Sequence, residues 1–273
     1  MKKDKILYFF VVCLFFTSCS SVKISTVKNQ EKKIFNTEAI VVYCNSADIE
    51  FRTILESTAK EYFEKNGKRS IQSINLFPPI REYSLTEVYE IIEQNNFDSI
   101  LFISQIASEK ETGFVQVYGV LVPVSSLNTS FDVQLVDLSD KQIILHSTVK
   151  SEGESLSSMA KSISKKIVSE ILTEECKEFI PIIQELFDQD LTLQPKSEKK
   201  YSIIGTSKIG DLTISNNRLE IKLPLSFGVV NDTRGMLEKV DSDSSSYLRI
   251  STNNVNELEY IVNLLKEYNT FNE

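Results

Sequence analysis

The residue whose position most clearly suggests chemistry is Cys19, because the residues before it have the pattern of an export signal. Lysines near the amino terminus precede an unbroken apolar run from Ile6 to Phe16, and the small residues Thr17 and Ser18 follow it. This combination is typical of a secretory signal peptide, whereas a membrane-spanning helix needs about twenty apolar residues. A cysteine directly after the small pair is the residue that bacterial lipoprotein processing acylates. We therefore predict a signal peptide over 1–18 and lipidation of Cys19 by palmitate or a similar chain.

The other residue types that commonly do chemistry do not form a catalytic set in the sequence. His146 is the only histidine, so we expect it to be a strand residue satisfied by a neighbour rather than part of a triad or a zinc site. Glu109 and Glu111 flank a lysine and are predicted to be solvated. The stretch Gly205–Gly210 lacks the spacing and the Ser or Thr of a phosphate-binding loop. The sequence thus predicts a protein that is not an enzyme and has no metal site and no cofactor.

Two cysteines remain after the predicted anchor, Cys44 and Cys176. They could form a disulfide in an oxidising compartment. However, Cys44 ends an apolar run and Cys176 follows a predicted helix, so we expect two separate buried thiols.

The charge of the chain restricts its partners. Removing residues 1–18 takes away three lysines and one aspartate, which changes the formal net charge from −8 to −10. An acidic surface repels phosphate groups, so we predict no nucleic-acid partner, and the acyl chains must provide the membrane contact. Ser20 and Ser21 follow the anchor in place of aspartate, which favours the outer membrane. The side on which the protein lies, periplasm or cell surface, stays open.

The elements that would position any site begin after a predicted tether. Residues 19–37 are polar and lack a periodic pattern, and an α+β domain over 38–175 is expected to follow. Its first strand is Ala39–Tyr43, and a capping box at Ser84–Glu87 begins its second helix. The order βαβαβββα combines crossover units with an antiparallel meander, which predicts a mixed sheet with helices packed on it.

The middle of this domain contains two further expectations. The segment Glu109–Glu111 is predicted to be a charged turn after the strand at 97–103. The apolar segment that follows, 113–124, is predicted to be a buried or edge strand of the sheet rather than a membrane-inserted strand. It is apolar on both faces from Tyr118 onward and contains Pro123.

The rest of the chain is predicted to form a smaller β-rich domain. Residues 176–199 are interpreted as a separate helix, with Pro181 in its first turn, and a charged joint at 195–200. Short strands are expected within 200–273, including one at 226–230, and a helix after Asn254 closes the domain.

The first domain resembles the small α/β domain of bacterial envelope proteins, namely the curli-secretion lipoprotein and the amino-terminal domain of the Tol-system propeller protein. The stretches that support the resemblance are the first strand, a helix exit into a central strand, a strand followed by a turn, and a strand that precedes a long helix: 39–43, 96–101, 131–137 and 143–150. The resemblance implies a scaffold for protein contacts in envelope assembly or transport, with no catalytic residue.

The resulting expectation is a non-enzymatic lipoprotein, anchored in the outer membrane through Cys19, that contacts an envelope protein. Two alternatives belong to other functional classes. The protein could be a glycan-binding or hydrolytic surface lipoprotein that uses its second domain, or a carrier of a small lipid.

Overall fold

The computed structural model describes most of the chain after the predicted signal and anchor. The described residues are 21–78, 81, 83–117, 120–187, 191–205, 207–215, 218–225, 230–241 and 246–271. The signal peptide predicted over 1–18 and Cys19 lie outside them. The chain divides into two compact units. The first comprises residues up to Lys32 with Thr37–Val168, and the second comprises Lys33–Asn36 with Ser169–Glu273.

The first unit is built on a mixed sheet of six strands. The strands are β1 (Ser21–Lys28), β2 (Ala39–Asn45), β3 (Arg69–Gln72), β4 (Ser99–Val117), β5 (Val120–Asp137) and β6 (Gln142–Gly153). Their order across the sheet is β1-β6-β5-β4-β2-β3. Strand β2 is parallel to β3 and β4, and the remaining pairs are antiparallel. The predicted α+β class with a mixed sheet is therefore confirmed.

Helices α1 (Ile49–Lys65) and α2 (Leu85–Gln94) belong to this unit. The capping box predicted at the start of α2 is present, since the Ser84 hydroxyl accepts from the Glu87 N–H and the Glu87 carboxylate accepts from the Ser84 N–H. A hydrogen bond from Arg81, followed by those from Ser84, lowers the pKa of Glu87 to about 2. Glu87 therefore stays ionised, and keeps α2 capped, through the ordinary pH range.

The predicted tether over 19–37 is wrong for residues 21–28, which form β1. This strand pairs with β6 along its full length, from Ser21 opposite Glu152 to Lys28 opposite Leu145. Its residues alternate between exposed and half-buried, which is the period of a strand with one face on a core. The partner strand lies more than a hundred residues later in the chain, so no local pattern reveals the pairing.

The predicted charged turn at Glu109–Glu111 is also wrong, because these residues lie inside β4. Strands β4 and β5 have 19 and 18 residues and form one long hairpin. The segment 113–124 is therefore the distal part of this hairpin and not a separate strand of the meander. Charged side chains are tolerated inside β4 because residues 109–111 are exposed.

The predicted separate helix after residue 176 is instead the continuation of α3, a helix that runs from Leu156 to Leu186 with Pro181 in its interior. No helix-breaking residue separates the two predicted helices. The buried side chains of Cys176, Phe179 and Ile183 continue the helical spacing, and this burial outweighs the hydrogen bond that Pro181 cannot donate. The boundary between the two units falls after Val168, seven residues before the predicted end of the first domain at 175.

The second unit contains an antiparallel sheet with the order β11-β12-β10-β9-β8-β7 and the helix α4 (Leu258–Phe271). Its strands are β7 (Thr192–Ser197), β8 (Lys200–Ile204), β9 (Lys208–Ser215), β10 (Arg218–Leu223), β11 (Glu238–Asp241) and β12 (Ser246–Thr252). The predicted charged joint is largely strand, since Pro195 in β7 lies opposite Tyr201 in β8. Most of the strand predicted at 226–230 lies outside the described residues.

The core of the second unit consists of apolar side chains from α3, the sheet and α4. Its fully buried members include Phe179, Phe187, Leu212, Leu219 and Leu265. A β-rich unit closed by a carboxy-terminal helix is thus confirmed. Among the helices that the structure describes, none has the length and apolar character needed to cross a membrane.

Candidate functional site

The surface that best fits an interaction site is one face of the first sheet, where β5, β6 and β1 present mainly polar side chains. The opposite face is buried, as at Phe131, Val133 and Val149. The cross-strand register places the polar residues in rows on the other face. We call this surface the open face, and it consists of Lys23, Ser25, Val27, Ser130, Asp132, Gln134, His146, Thr148 and Lys150.

The centre of the open face is a cluster around Asp132. The Nε2 atom of His146 lies 2.5 Å from Asp132 Oδ1, and the Gln134 side-chain amide donates to Asp132 Oδ2 at 2.7 Å. The His146 side chain is 48% exposed. The prediction that His146 is a strand residue satisfied by a neighbour is confirmed. Both carboxylate oxygens of Asp132 are occupied within the cluster, and the imidazole of His146 is its most exposed group.

A shallow cleft of about 340 Å³ lies at the end of the sheet where β1 begins. Its charged lining residues are Lys23, Lys150, Glu109 and Glu152. Two cations and two carboxylates at this edge give the cleft no strong net charge.

The groups that could do acid–base chemistry are used internally in the first unit. Glu56, which is 1% exposed, accepts hydrogen bonds from the Cys44 N–H at 2.9 Å, the Arg52 Nε–H at 3.1 Å and the Ser73 N–H at 3.0 Å. The Ser73 hydroxyl also donates to it at 2.8 Å. This network joins α1, β2 and the turn after β3, and it holds four donors on a carboxylate that is shielded from solvent. Its role is structural.

Cys44 and Cys176 are both buried thiols, as predicted, and they form no disulfide in the part of the chain that the structure describes. Burial, and then the negative charge of Glu56, raises the pKa of the Cys44 thiol to about 12. A thiol attacks as its thiolate, so Cys44 is not a nucleophile at neutral pH. No group of three or more His, Cys, Asp or Glu side chains in the described ranges is placed to hold a metal ion.

These surroundings predict the reactivity of Cys44. In the native protein, Cys44 should remain unmodified by iodoacetamide at pH 8, while in urea it should react at the rate of an ordinary thiol. Mass spectrometry of tryptic peptides would measure both states. Rapid native labelling of the Cys44 peptide, with the circular dichroism spectrum unchanged, would contradict the described burial.

The second unit has a separate cleft of about 700 Å³ on the face formed by β10, β12 and β11. Charged residues of both signs line it: Arg218, Glu220, Glu238, Arg249 and Glu257. The Arg249 guanidinium donates to Glu238 Oε2, so part of this charge is paired within the cleft. Carboxylate groups accept hydrogen bonds and guanidinium groups donate them, so this lining can bond to hydroxyl groups such as those of a sugar.

Only one member of the central cluster is identifiable from the sequence. His146 was noticed as the only histidine, while Asp132 and Gln134 lie in a recognised strand without a motif. Their alternation with buried Phe131, Val133 and Leu135 is the signal that places them together on the opposite face. Cys19, the predicted lipidation site, lies outside the described residues. The Glu109 and Glu111 pair is in an exposed strand segment.

Comparisons with known proteins found structural similarity without a family assignment. No protein-family model matches the chain, and no curated protein sequence does. The PelC dodecamer from Paraburkholderia phytofirmans matches with a TM-score of 0.38 and 15% identity, over 55% of this chain and 97% of that one. The lipoprotein GNA1162 from Neisseria meningitidis matches with a TM-score of 0.31 and 19% identity, over 49% and 96%. A PDZ domain protein from Parabacteroides distasonis gives 0.30 and 10%, over 61% and 40%.

Proposed function

We propose that this chain is a non-enzymatic lipoprotein that is anchored in the outer membrane through Cys19 and contacts an envelope protein through its open face. The observation that supports this proposal best is the position of β1. The strand begins at Ser21, so a single residue separates it from the acylated cysteine. Two peptide links span at most about 7 Å. An anchor at Cys19 would therefore hold the β1 end of the sheet at the membrane surface.

The chemistry of the open face supports a protein as the partner. It is a polar sheet face with mixed charge and with an imidazole and an amide presented at its centre. Val27, 70% exposed, adds an apolar contact at its edge. Interfaces of non-obligate complexes are of this mixed kind. The resemblance to the curli-secretion and Tol-system domains agrees with a scaffold for envelope contacts.

The anchor is tested by metabolic labelling with radioactive palmitate and by membrane fractionation. Wild-type protein should carry the label and sediment with outer membranes, and Cys19→Ala should lose both properties. Cys44→Ala is the matched control, because it removes a cysteine that cannot be acylated in its buried position. An unlabelled wild-type protein in the cytosolic fraction would refute the anchor.

The partner surface is tested by photo-crosslinking in cells. A photoreactive amino acid at Thr148, on the open face, should capture one specific envelope protein. The same residue at Glu93, an exposed position on α2, should capture none. His146→Ala should weaken the Thr148 crosslink severalfold, because a hot-spot side chain near the centre of an interface costs more than about 1 kcal/mol when it is truncated. Equal capture from both positions would contradict the assignment of the open face.

A second function is favoured by the charged cleft in the second unit. If this cleft binds glycans, the purified protein should bind at least one immobilised glycan on a glycan array, and Glu220→Gln should remove that binding. Glu267→Gln, an exposed change in α4 away from the cleft, should leave it unchanged. Hydrolysis of the retained glycan would extend the second proposal to an enzyme.

A further inference from the structure

The hairpin of β4 and β5 extends beyond the rest of the sheet. The last residue of β4 that pairs with β2 is Ser104, and a bulge follows between Gln105 and Ala107. In the direction of the hairpin tip, the pairing of β5 with β6 ends at Leu127, which lies opposite Gly153. Beyond this point the two strands pair only with each other among the described residues, up to Val117 opposite Val120. We call 110–117 with 120–126 the extension.

The amino-acid composition changes sharply along the extension. Three charged residues, Glu109–Glu111, lie at its base, and no charged residue then occurs from Thr112 to Phe131. The distal stretch Gly113–Val124 reads GFVQVYGVLVPV and is largely apolar and β-branched. An isolated two-stranded ribbon is marginally stable in water. We therefore expect an apolar ribbon to be stabilised by contact with another surface.

The strand register indicates the side of the sheet on which such a surface would lie. Ser21 lies opposite Glu152, Glu152 opposite Asn128, and Asn128 opposite Glu109, so these four residues form one row across four strands. Cys19 precedes Ser21 by two residues, so the distance between it and the Ser21 end of this row is at most about 7 Å. Strand β4 continues past the row by the residues Lys110–Val117, on the side from which β1 enters. At about 3.3 Å per residue the extension projects roughly 26 Å from the row.

We propose that the extension dips into the lipid bilayer and is a second, non-covalent membrane contact that fixes the orientation of the first unit. This inference rests on the proposed acylation of Cys19, which places the bilayer on that side of the sheet. The three charged residues at Glu109–Glu111 would mark the water boundary. The uncharged residues of the extension would lie among headgroups and upper acyl chains.

The edges of the extension determine how deep it goes. Each of its strands has one edge without a strand partner in the described residues, so backbone N–H and C=O groups point outward along both edges. Such groups cost several kcal/mol each in hydrocarbon. A single copy therefore lies obliquely in the interfacial region, where water still reaches the backbone, and does not span the bilayer.

Depth-dependent fluorescence quenching tests the proposal on the full mature protein purified from membranes. Val115→Cys and Val122→Cys, which lie opposite each other in the hairpin, are labelled with an environment-sensitive dye, and Gln142→Cys at the other end of β6 is the reference. The buried thiols Cys44 and Cys176 do not compete for the dye. The probe membrane is a vesicle of phosphatidylethanolamine and phosphatidylglycerol with brominated acyl chains.

Quenching at residues 115 and 122 should exceed that at residue 142 by about threefold or more, because apolar interfacial segments bury about 5–10 Å into the headgroup and acyl boundary. Adding Val122→Asp to the Val115→Cys protein should reduce its quenching, while Gln142→Glu should not. Equal weak quenching at all three positions would overturn the inference. A crosslink from the extension to a protein or to a second copy, together with weak quenching, would overturn it in the same way. The acyl mass of the same sample reports on Cys19 separately, so failure of the anchor and failure of the extension are distinguishable.

Discussion

Replacing Glu56 with alanine should lower the free energy of unfolding by about 3–5 kcal/mol, the range for breaking a buried ion pair, because Glu56 is 1% exposed and its partner Arg52 is only 23% exposed. The change leaves the Arg52 guanidinium without its carboxylate and two backbone N–H groups, of Cys44 and Ser73, without acceptors. The Ser73 hydroxyl keeps one partner, because the Arg52 Nη2 donates to it at 2.7 Å. Chemical unfolding in urea, followed by circular dichroism, would measure the loss.

The control for this change is Glu64→Ala on the same helix. Glu64 pairs with Lys60 at 2.7 Å but is 45% exposed, and exposed pairs are worth about 0.2–1 kcal/mol. A loss at Glu56 as small as the loss at Glu64 would show that the network does not carry the stability that its burial implies. Glu56→Gln should lie between the two, because it keeps an acceptor oxygen and removes the charge.

Replacing Phe131 with alanine should cost about 3–5 kcal/mol of unfolding free energy, the range for large aromatic side chains removed from a core. Phe131 is fully buried and stacks on Phe51 of α1, with ring centroids 5.3 Å apart and an interplanar angle of 15°. The change therefore opens a cavity where β5 meets the helix layer.

Phe131→Leu is the matched control, because it fills most of the volume and should cost less than about 1.5 kcal/mol. Both variants are compared by urea unfolding under identical conditions. If the alanine and leucine variants are equally stable, the ring of Phe131 is not packed as described. A crosslink from Thr148 that survives in the leucine variant would show that the open face is retained.

Local signals predicted the elements of the fold that depend on short-range physics. The β-branched run at Ala39–Tyr43 is a buried strand, and the capping box at Ser84 begins α2 where the hydroxyl and carboxylate spacing places it. The mixed sheet and the second, β-rich unit also follow from the alternation of strands and helices. These features are predictable because their determinants are neighbours in the sequence.

The errors concern elements whose partners are distant or whose pattern is mixed. Strand β1 mixes small polar residues with lysine, valine and isoleucine, and it pairs with the distant β6, so its composition resembles that of a linker. Charged Glu109–Glu111 suggests a turn, yet strand pairing on one side holds it extended. Pro181 suggests a helix start, but the burial of Phe179 and Ile183 keeps α3 continuous.

The candidate site was predictable only in part for the same reason. A histidine in a strand was expected to have a neighbour as its partner, and the structure identifies that neighbour as Asp132 on the adjacent strand. The register that aligns β5 with β6 depends on the hairpin turn and on the bulge between Leu135 and Val136. A one-residue change in that register would move Asp132 to the other face.

The pairing of β1 with β6 has a consequence for the order in which the fold assembles. The chain is synthesised from its amino terminus, so β1 is the first strand available. Its partner residues 145–152 lie in β6, which is the last strand of this sheet to be synthesised. Contacts between such distant segments form slowly because a long loop must close first. The outermost strand therefore stays unmatched until β6 is complete, and an amide-exchange experiment during refolding should find it among the last protected segments.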